Sequence, residues 1–256
     1  MTDRPPFTDR FRLTGKGAVV TGGSRGIGRA IALGLAGAGA DVMIASRDGA
    51  RCDEVAAEAR QLGVRSLGVP CDVAKEEDLV RLFERAATEL PGVNVLVHCA
   101  GLSATSYASD VNIHELQRMM DVHYLAGVRA AQLAYPHLKP EGGAVLFVGS
   151  VWGLGGATGS LAYGAAKAAL THAVKVLALE WARDGIRVNG LAPGFVDTDM
   201  TRSVPDGAKQ KLLGRVPLRR WAEPEEMAGP AVFLCSDAAS YVTGHVLVAD
   251  GGERAR

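Results

Sequence analysis

The sequence predicts an α/β fold, a doubly wound parallel sheet of about seven strands with helices on both faces. Three observations lead there. Short apolar runs alternate with helix-length amphipathic stretches. The apolar runs are hydrophobic throughout, as expected of strands covered on both faces. A glycine-rich turn, Thr21-Gly-Gly-Ser-Arg-Gly-Ile-Gly28, joins the first strand to the first helix.

Taken in order, the first half reads as strand Gly17–Thr21, helix Ile27–Ala38 and strand Asp41–Ala45. Helix Asp48–Leu62, strand Ser66–Pro70, helix Lys75–Leu90 and strand Asn94–His98 follow. Helices of that length between apolar strands make βαβ units. The second half predicts a long helix over Asn112–Leu138, strand Gly143–Gly149, helix Leu161–Arg183 and strand Ile186–Ala192. From Thr198 to Trp221 the chain turns polar and irregular, and long loops of this kind are often functional. Glu223-Pro-Glu-Glu opens a last helix, its proline and acids suited to a first turn, and His245–Ala249 closes the sheet. No linker interrupts the chain, so residues 1–256 are expected to form one domain, with 1–12 as an N-terminal extension.

Composition narrows the function. At 256 residues and 48% hydrophobic content the chain has ample core. Its 28 basic and 28 acidic residues are scattered, which argues against a nucleic-acid face. The polar start, Met1 to Arg10, lacks the apolar centre of a signal peptide, and no run is long enough to cross a bilayer. Cys52, Cys71, Cys99 and Cys235 show neither pairing nor metal spacing, and read as thiols in a reducing compartment. A soluble cytoplasmic protein without a metal or a membrane partner is expected.

The glycine turn suits a pyrophosphate, because glycines let the backbone approach closely and the helix behind presents unpaired amides. At the end of the second strand an NAD site would carry an acid for the ribose hydroxyls. Here Ser46 is followed by Arg47, and Arg25 lies in the glycine turn. Two cations and a hydroxyl suit a 2′-phosphate, so NADP(H) is expected over NAD(H). Asp72 is placed to accept from the adenine amino group, with Cys71 and Val73 beside it, and Ala100-Gly101 would let a ribose lie close. The strand Gly143–Gly149 delivers Ser150 to its C-terminal end, and Tyr163 and Lys167 lie four apart on the next helix, on one face. An ammonium beside a phenol is expected to lower the phenol's pKa, making it a proton donor and acceptor near neutrality.

These residues together resemble the short-chain dehydrogenase/reductase family, in its compact single-domain branch with a Rossmann-like sheet. The resemblance runs from about Leu13 to Gly252 and includes Thr-Gly-x-x-x-Gly-x-Gly at 21–28, Ala100-Gly101, Ser150, Tyr163-x-x-x-Lys167, Asn189, Pro193-Gly194 with Thr198, and Asp250-Gly251-Gly252. Within the family the chain is most similar to bacterial 3-oxoacyl-(acyl-carrier-protein) reductases. The resemblance implies that Ser150 orients a carbonyl, Tyr163 acts as general acid, and Lys167 binds the nicotinamide ribose. It also implies a cofactor cradle of Gly22, Ser24, Arg25, Gly26, Ile27, Gly28, Cys99, Ala100, Gly101, Pro193, Gly194, Val196 and Thr198. A mobile flap is implied over about 198–221, with Trp152, Phe195, Met200 and Leu213 as pocket wall. The implied reaction is NADPH-dependent reduction of a ketone, including a 3-oxoacyl thioester. Oxidation of a sugar, steroid or other cyclic alcohol, or a regulator that binds the cofactor without turnover, are the alternatives. A homodimer or homotetramer is implied, and apolar surplus on the helix at Ala165, Ala168, Ala169, Ala173, Val176 and Leu177 agrees with it. A carrier-bound substrate would favour basic residues at the pocket mouth, for which Lys139, Arg183, Lys209, Lys211 and Arg215 are candidates.

Two positions depart from the family pattern. His123 stands where an asparagine usually holds a relay water; it either holds that water, relays the proton itself, or is a packed helix residue. Cys99 replaces the asparagine before Ala-Gly and so lacks the amide that ties neighbouring strands, for which local packing must compensate.

Overall fold

A computed structural model describes residues 6–202, 204 and 206–255. Residues 1–5 of the expected N-terminal extension, positions 203 and 205 of the expected flap, and 256 lie outside the described residues. Among those described, β1 (Gly17–Thr21), β2 (Asp41–Ser46), β3 (Ser66–Pro70), β4 (Val95–His98), β5 (Gly143–Val148), β6 (Ile186–Pro193) and β7 (Val246–Ala249) form one sheet. The order is β3-β2-β1-β4-β5-β6-β7, and every neighbouring pair is parallel. Chain order changes direction between β1 and β4, which opens a crevice beyond their C-terminal ends.

Apolar strands sit in the middle because both faces are covered. Val19, Leu96 and Phe147 pack with Leu82, Phe83 and Leu170 on one side, and Val20, Val97 and Leu146 with Ile31, Leu35 and Leu234 on the other. Helix α1 (Gly26–Gly37) supplies Ile31 and Leu35. The Asp48 carboxylate accepts the Arg51 N–H at 3.1 Å and so caps α2 (Gly49–Gln61). In α3 (Glu76–Glu89) three acids occupy the first turn, at the positive end of the dipole, and Leu79, Leu82, Phe83 and Ala86 turn inward.

The helix expected over 112–138 is divided. Between α4 (Ile113–Met120) and α5 (Ala126–Leu138) lies a π-turn, Asp121–Leu125, in which the Ala126 N–H reaches back five residues to the Asp121 carbonyl. Neither proline nor glycine stands in this turn. The His98 ring meets the Val122 carbonyl there at 3.3 Å, a side chain entering the helical ladder. The long α6 (Leu161–Trp181) crosses behind β5 and β6. Of its expected surplus face, Ala165, Ala168 and Val176 are exposed, Ala169 and Leu177 half-buried, and Ala173 buried, so Ala173 serves the core.

The stretch after β6 is more regular than its polar sequence suggested. It carries two short helices, α7 (Asp199–Arg202) and α8 (Asp206–Leu213). A tight turn, Pro224–Met227, with reciprocal Glu223 and Glu226 caps, then leads into α9 (Ala228–Cys235). No helix among the described residues is long and apolar enough to cross a membrane.

The last strand is held by Asn189, which is 1% exposed: its Nδ2 donates to the Val242 carbonyl at 2.9 Å and its Oδ1 accepts the His245 N–H at 3.1 Å. Asn189→Ala removes both bonds and leaves the His245 N–H without its partner, which costs about 2 kcal/mol. Thermal unfolding should show Tm lower by about 4–8 °C, and an unchanged Tm would mean the tie is dispensable.

Candidate active site

The predicted site residues converge at the C-terminal edge of the sheet. Ser150 follows β5 with an extended backbone, and its Oγ accepts the Trp152 N–H at 3.2 Å, leaving its own O–H to donate. Tyr163 and Lys167 share the first turns of α6, with the Lys167 ammonium 5.7 Å from the Tyr163 ring centre. Lys167 is 4% exposed and its Nζ donates to the Val148 carbonyl at 2.6 Å, pinning the helix to the end of β5. Met119, Ala162 and Ala166 form an apolar bed under Tyr163.

Two rings clamp the phenol edge-on. His123 lies 5.3 Å from it at 90°, and Trp152 lies 6.0 Å from it at 86°. The aromatic row continues through Phe195, 6.3 Å from Trp152, to Trp221, stacked on Phe195 at 5.9 Å. Lys209 stands over the Trp221 ring at 5.6 Å. Trp221 was not foreseen, although its place at the end of the polar stretch was the available signal. Met200 is 47% exposed on α7 and Leu213 half-buried at the end of α8.

The cradle lies alongside. Gly22 adopts φ +70°, and a Cβ there would fall 2.6 Å from the Ala100 nitrogen, so only glycine lets the turn approach β4. At Gly28 a Cβ would fall 2.1 Å from the Gly22 carbonyl oxygen, so α1 starts hard against the turn. Ser24, Arg25, Gly26 and Ile27 lie between them, no side chain caps α1, and no acid stands in its first turn. Its amides therefore face an open, electropositive turn that fits a phosphate. Thr198 packs beside Gly26, where a Cβ would be 3.2 Å from Thr198 Cγ2. Pro193 and Gly194 end β6 and lead to Phe195 and Val196.

Other positions are modified by their surroundings. Cys71 and Val73 are buried on either side of the half-buried Asp72. The Ser46 hydroxyl is engaged locally, accepting the Asp48 N–H at 3.1 Å. Arg47 is exposed, whereas Arg25 lies 3.9 Å from Asp199 of α7 across the glycine turn. Two residues expected at the pocket mouth are elsewhere. Lys139 precedes β5 and pairs with Asp184 at 3.3 Å, and Arg183 precedes β6, so both lie at the opposite edge of the sheet.

Comparison with known proteins agrees with this geometry. A family model described as enoyl-(acyl carrier protein) reductase matches residues 22–253. The 3-oxoacyl-(acyl-carrier-protein) reductase FabG of Aquifex aeolicus is 37% identical over 244 residues, 94% of this chain and 98% of that one. The 2-dehydro-3-deoxy-D-gluconate 5-dehydrogenase of Pseudoalteromonas atlantica is 36% identical over 248 residues, 95% and 98% of the two chains. A solved putative NAD(P)-dependent gluconate 5-dehydrogenase from Beutenbergia cavernae with bound NADP superimposes with a TM-score of 0.92 at 38% identity, covering 96% of this chain and 100% of that one. The chain belongs to the short-chain dehydrogenase/reductase family. It is an oxidoreductase acting on an alcohol or ketone with a nicotinamide cofactor.

Ionisation in this dehydrogenase/reductase site differs from the expectation in two respects. Burial pushes the Tyr163 phenol up to about 12, outweighing a hydrogen bond with Ser150 that pulls it down. The phenol is therefore protonated at neutral pH rather than poised to ionise. Burial also brings Lys167 down to about 8. His123, expected near neutrality, is held down at about 2 by burial and by the Lys167 charge. It is a neutral imidazole and not an acid. Its Nε2 lies 2.8 Å from the Leu102 carbonyl oxygen and 3.3 Å from the Leu102 nitrogen, and its buried Nδ1 has no protein partner among the described residues.

Proposed function

We propose that this short-chain dehydrogenase/reductase is an NADPH-dependent ketone reductase in which Tyr163 gives the proton. The observation that carries the reading is the phenol, protonated at neutral pH, clamped between two rings and 5.7 Å from a buried ammonium. A reduced nicotinamide, when bound in the crevice, would supply the hydride for the carbonyl carbon. Ser150 directs its O–H at the carbonyl oxygen and polarises it. Tyr163 passes its proton to the same oxygen as charge develops there. The phenolate left behind is stabilised by the Lys167 ammonium, a charge that acts strongly because water is excluded. His123 stands at the edge of this group as a neutral imidazole.

The glycine turn and the start of α1 would hold the pyrophosphate, with Asp72 at the adenine and Ala100-Gly101 under a ribose. Preference for NADPH is supported by Arg47 standing exposed after β2 and by the engagement of the nearest acid, Asp48, as the cap of α2. Arg25 contributes less, because Asp199 already offsets its charge.

One observation favours a ring-shaped ketone over a carrier-bound linear thioester. Trp152, Phe195 and Trp221 line up beyond Tyr163, and such a row offers broad apolar faces on which a flat or cyclic body can lie. The basic collar that a carrier would use lacks Lys139 and Arg183. The exposed Leu161, Val176 and Leu179 of α6 support association of α6 with a second copy, as in a homodimer or homotetramer.

NADPH oxidation across cyclic ketones, sugar-derived ketones and 3-oxoacyl thioesters tests the reading; binding without turnover on any of them would replace it with a regulator. Tyr163→Phe should remove turnover, by about 10³-fold or more, while NADPH affinity measured by calorimetry stays within about threefold. Residual turnover near wild type would place the proton donor elsewhere.

The pH dependence follows from Lys167. Below about 8 it is charged and stabilises the phenolate being formed; above that it is neutral and the stabilisation goes. Reduction kcat should be level up to about pH 8 and fall beyond it, while alcohol oxidation, which needs the phenolate, rises with pH. A reduction profile that stays level to high pH contradicts this role.

Arg47→Asp exchanges a phosphate partner for a ribose acceptor. The ratio of kcat/KM for NADPH to that for NADH should fall by about tenfold or more, and an unchanged ratio would show that Arg47 does not reach the cofactor.

A further inference from the structure

With Cys99 in place of an amide, the tie between β1 and β4 has to come from another side chain. His98 makes it. Its Nδ1 lies 3.0 Å from Thr21 Oγ1 on the adjacent strand, and its Nε2 lies 3.3 Å from the Val122 carbonyl. One tautomer satisfies both contacts. The carbonyl needs a donor, so Nε2 carries the proton, and Nδ1 accepts the Thr21 hydroxyl proton. The Thr21 oxygen in turn accepts the Ala100 N–H at 3.4 Å. An imidazole that is 1% exposed thus joins the end of β1, the end of β4 and the π-turn.

The contact on the turn is what gives the tie a consequence for the site. Val122 immediately precedes His123, the residue that presents its ring edge to Tyr163 at 5.3 Å. His123 is gripped on its far side by Leu102, just past the same strand. Both rings occupy space that glycines provide. A Cβ at Gly127 would fall 3.0 Å from His98 Cδ2, and one at Gly101 would fall 2.5 Å from His123 Cε1. The two histidines are therefore fitted as a pair, one through the backbone of the turn and the other through its side chain. A π-turn is a locally costly register, and an outside donor to one of its carbonyls favours it over a regular helix.

We propose that His98 is a positioning residue, which through the Val122 carbonyl holds the π-turn in the register that sets His123 against Tyr163. Burial holds its ring down at about 4, so it stays neutral at working pH and keeps one nitrogen as donor and the other as acceptor. The proposal rests on the reading of Tyr163 as proton donor, and the test separates the two.

Wild-type enzyme is first assayed on the ketone panel, where absence of turnover would count against the reductase reading alone. Nitrogen-15 NMR of histidine-labelled enzyme then judges the tie without any substrate. His98 should carry its proton on Nε2 throughout the working pH range, and a proton on Nδ1 would overturn the proposal. With turnover established, His98→Ala, His98→Gln and His123→Ala are compared singly and with each His98 change combined with His123→Ala. His98→Ala should lower kcat by about tenfold, leave the NADPH KM within about threefold, and cause little further loss once His123 is alanine. His98→Gln retains a donor towards Val122 and should restore kcat to within about threefold of wild type; it also carries the double-mutant test if the alanine variant does not fold. Additive losses, or a lower Tm with kcat unchanged, would reduce His98 to a packing residue and end the proposal.

Discussion

Lys167 is 4% exposed, so its ammonium group sits inside the protein, and much of the site follows from keeping it there. A buried charge needs an acceptor, and the Val148 carbonyl at 2.6 Å provides it from the last residue of β5. That bond fixes the start of α6 against the end of β5, which brings Tyr163 beside Ser150. The same charge helps to keep His98 and His123 neutral and opposes the upward push on the Cys99 thiol, which still rests at about 11. One cation inside a low-dielectric pocket thereby sets the protonation of its neighbours. The neutral imidazoles, in turn, are free to act as paired donors and acceptors in the packing around it.

The second constraint is backbone proximity. Gly22 and Gly28 bring the first βα turn against the end of β4, and Thr198 closes over the same turn from the end of β6. A parallel sheet places all these turns at one edge, so the glycine turn and Tyr163 share a crevice without any long-range device. Specificity then falls to the side chains that project past the cradle. Those are aromatic on the substrate side and only weakly basic around it.

Much of this was legible in the chain. Strand and helix order, the glycine turn, and the grouping of Ser150, Tyr163 and Lys167 follow from spacing, because alternation and helical period are local properties. The π-turn was not legible, since the side chain that meets its Val122 carbonyl, His98, lies 24 residues away on β4. The direction of the Tyr163 shift was misread for a related reason: a neighbouring cation is visible in a sequence, whereas the depth of burial that outweighs it is not. Lys139 and Arg183 were candidates for the mouth on their charge, but each precedes its strand, β5 or β6, and so belongs to the opposite edge of a parallel sheet. The missing strand tie was anticipated as a need from Cys99, but the residue meeting it, His98, emerged only when Thr21 and Val122 were seen on either side of its ring.

The three tryptophans are unevenly distributed, and that has a spectroscopic consequence. Trp152 and Trp221 belong to the row of rings beside Tyr163, whereas Trp181 packs on Tyr135 at 4.9 Å towards the other edge of the sheet. Indole emission overlaps the absorption of a reduced nicotinamide, so the two indoles of this row stand beside the crevice as energy donors. The chain therefore carries its own optical gauge of what lies in the crevice, and needs no attached dye to read it.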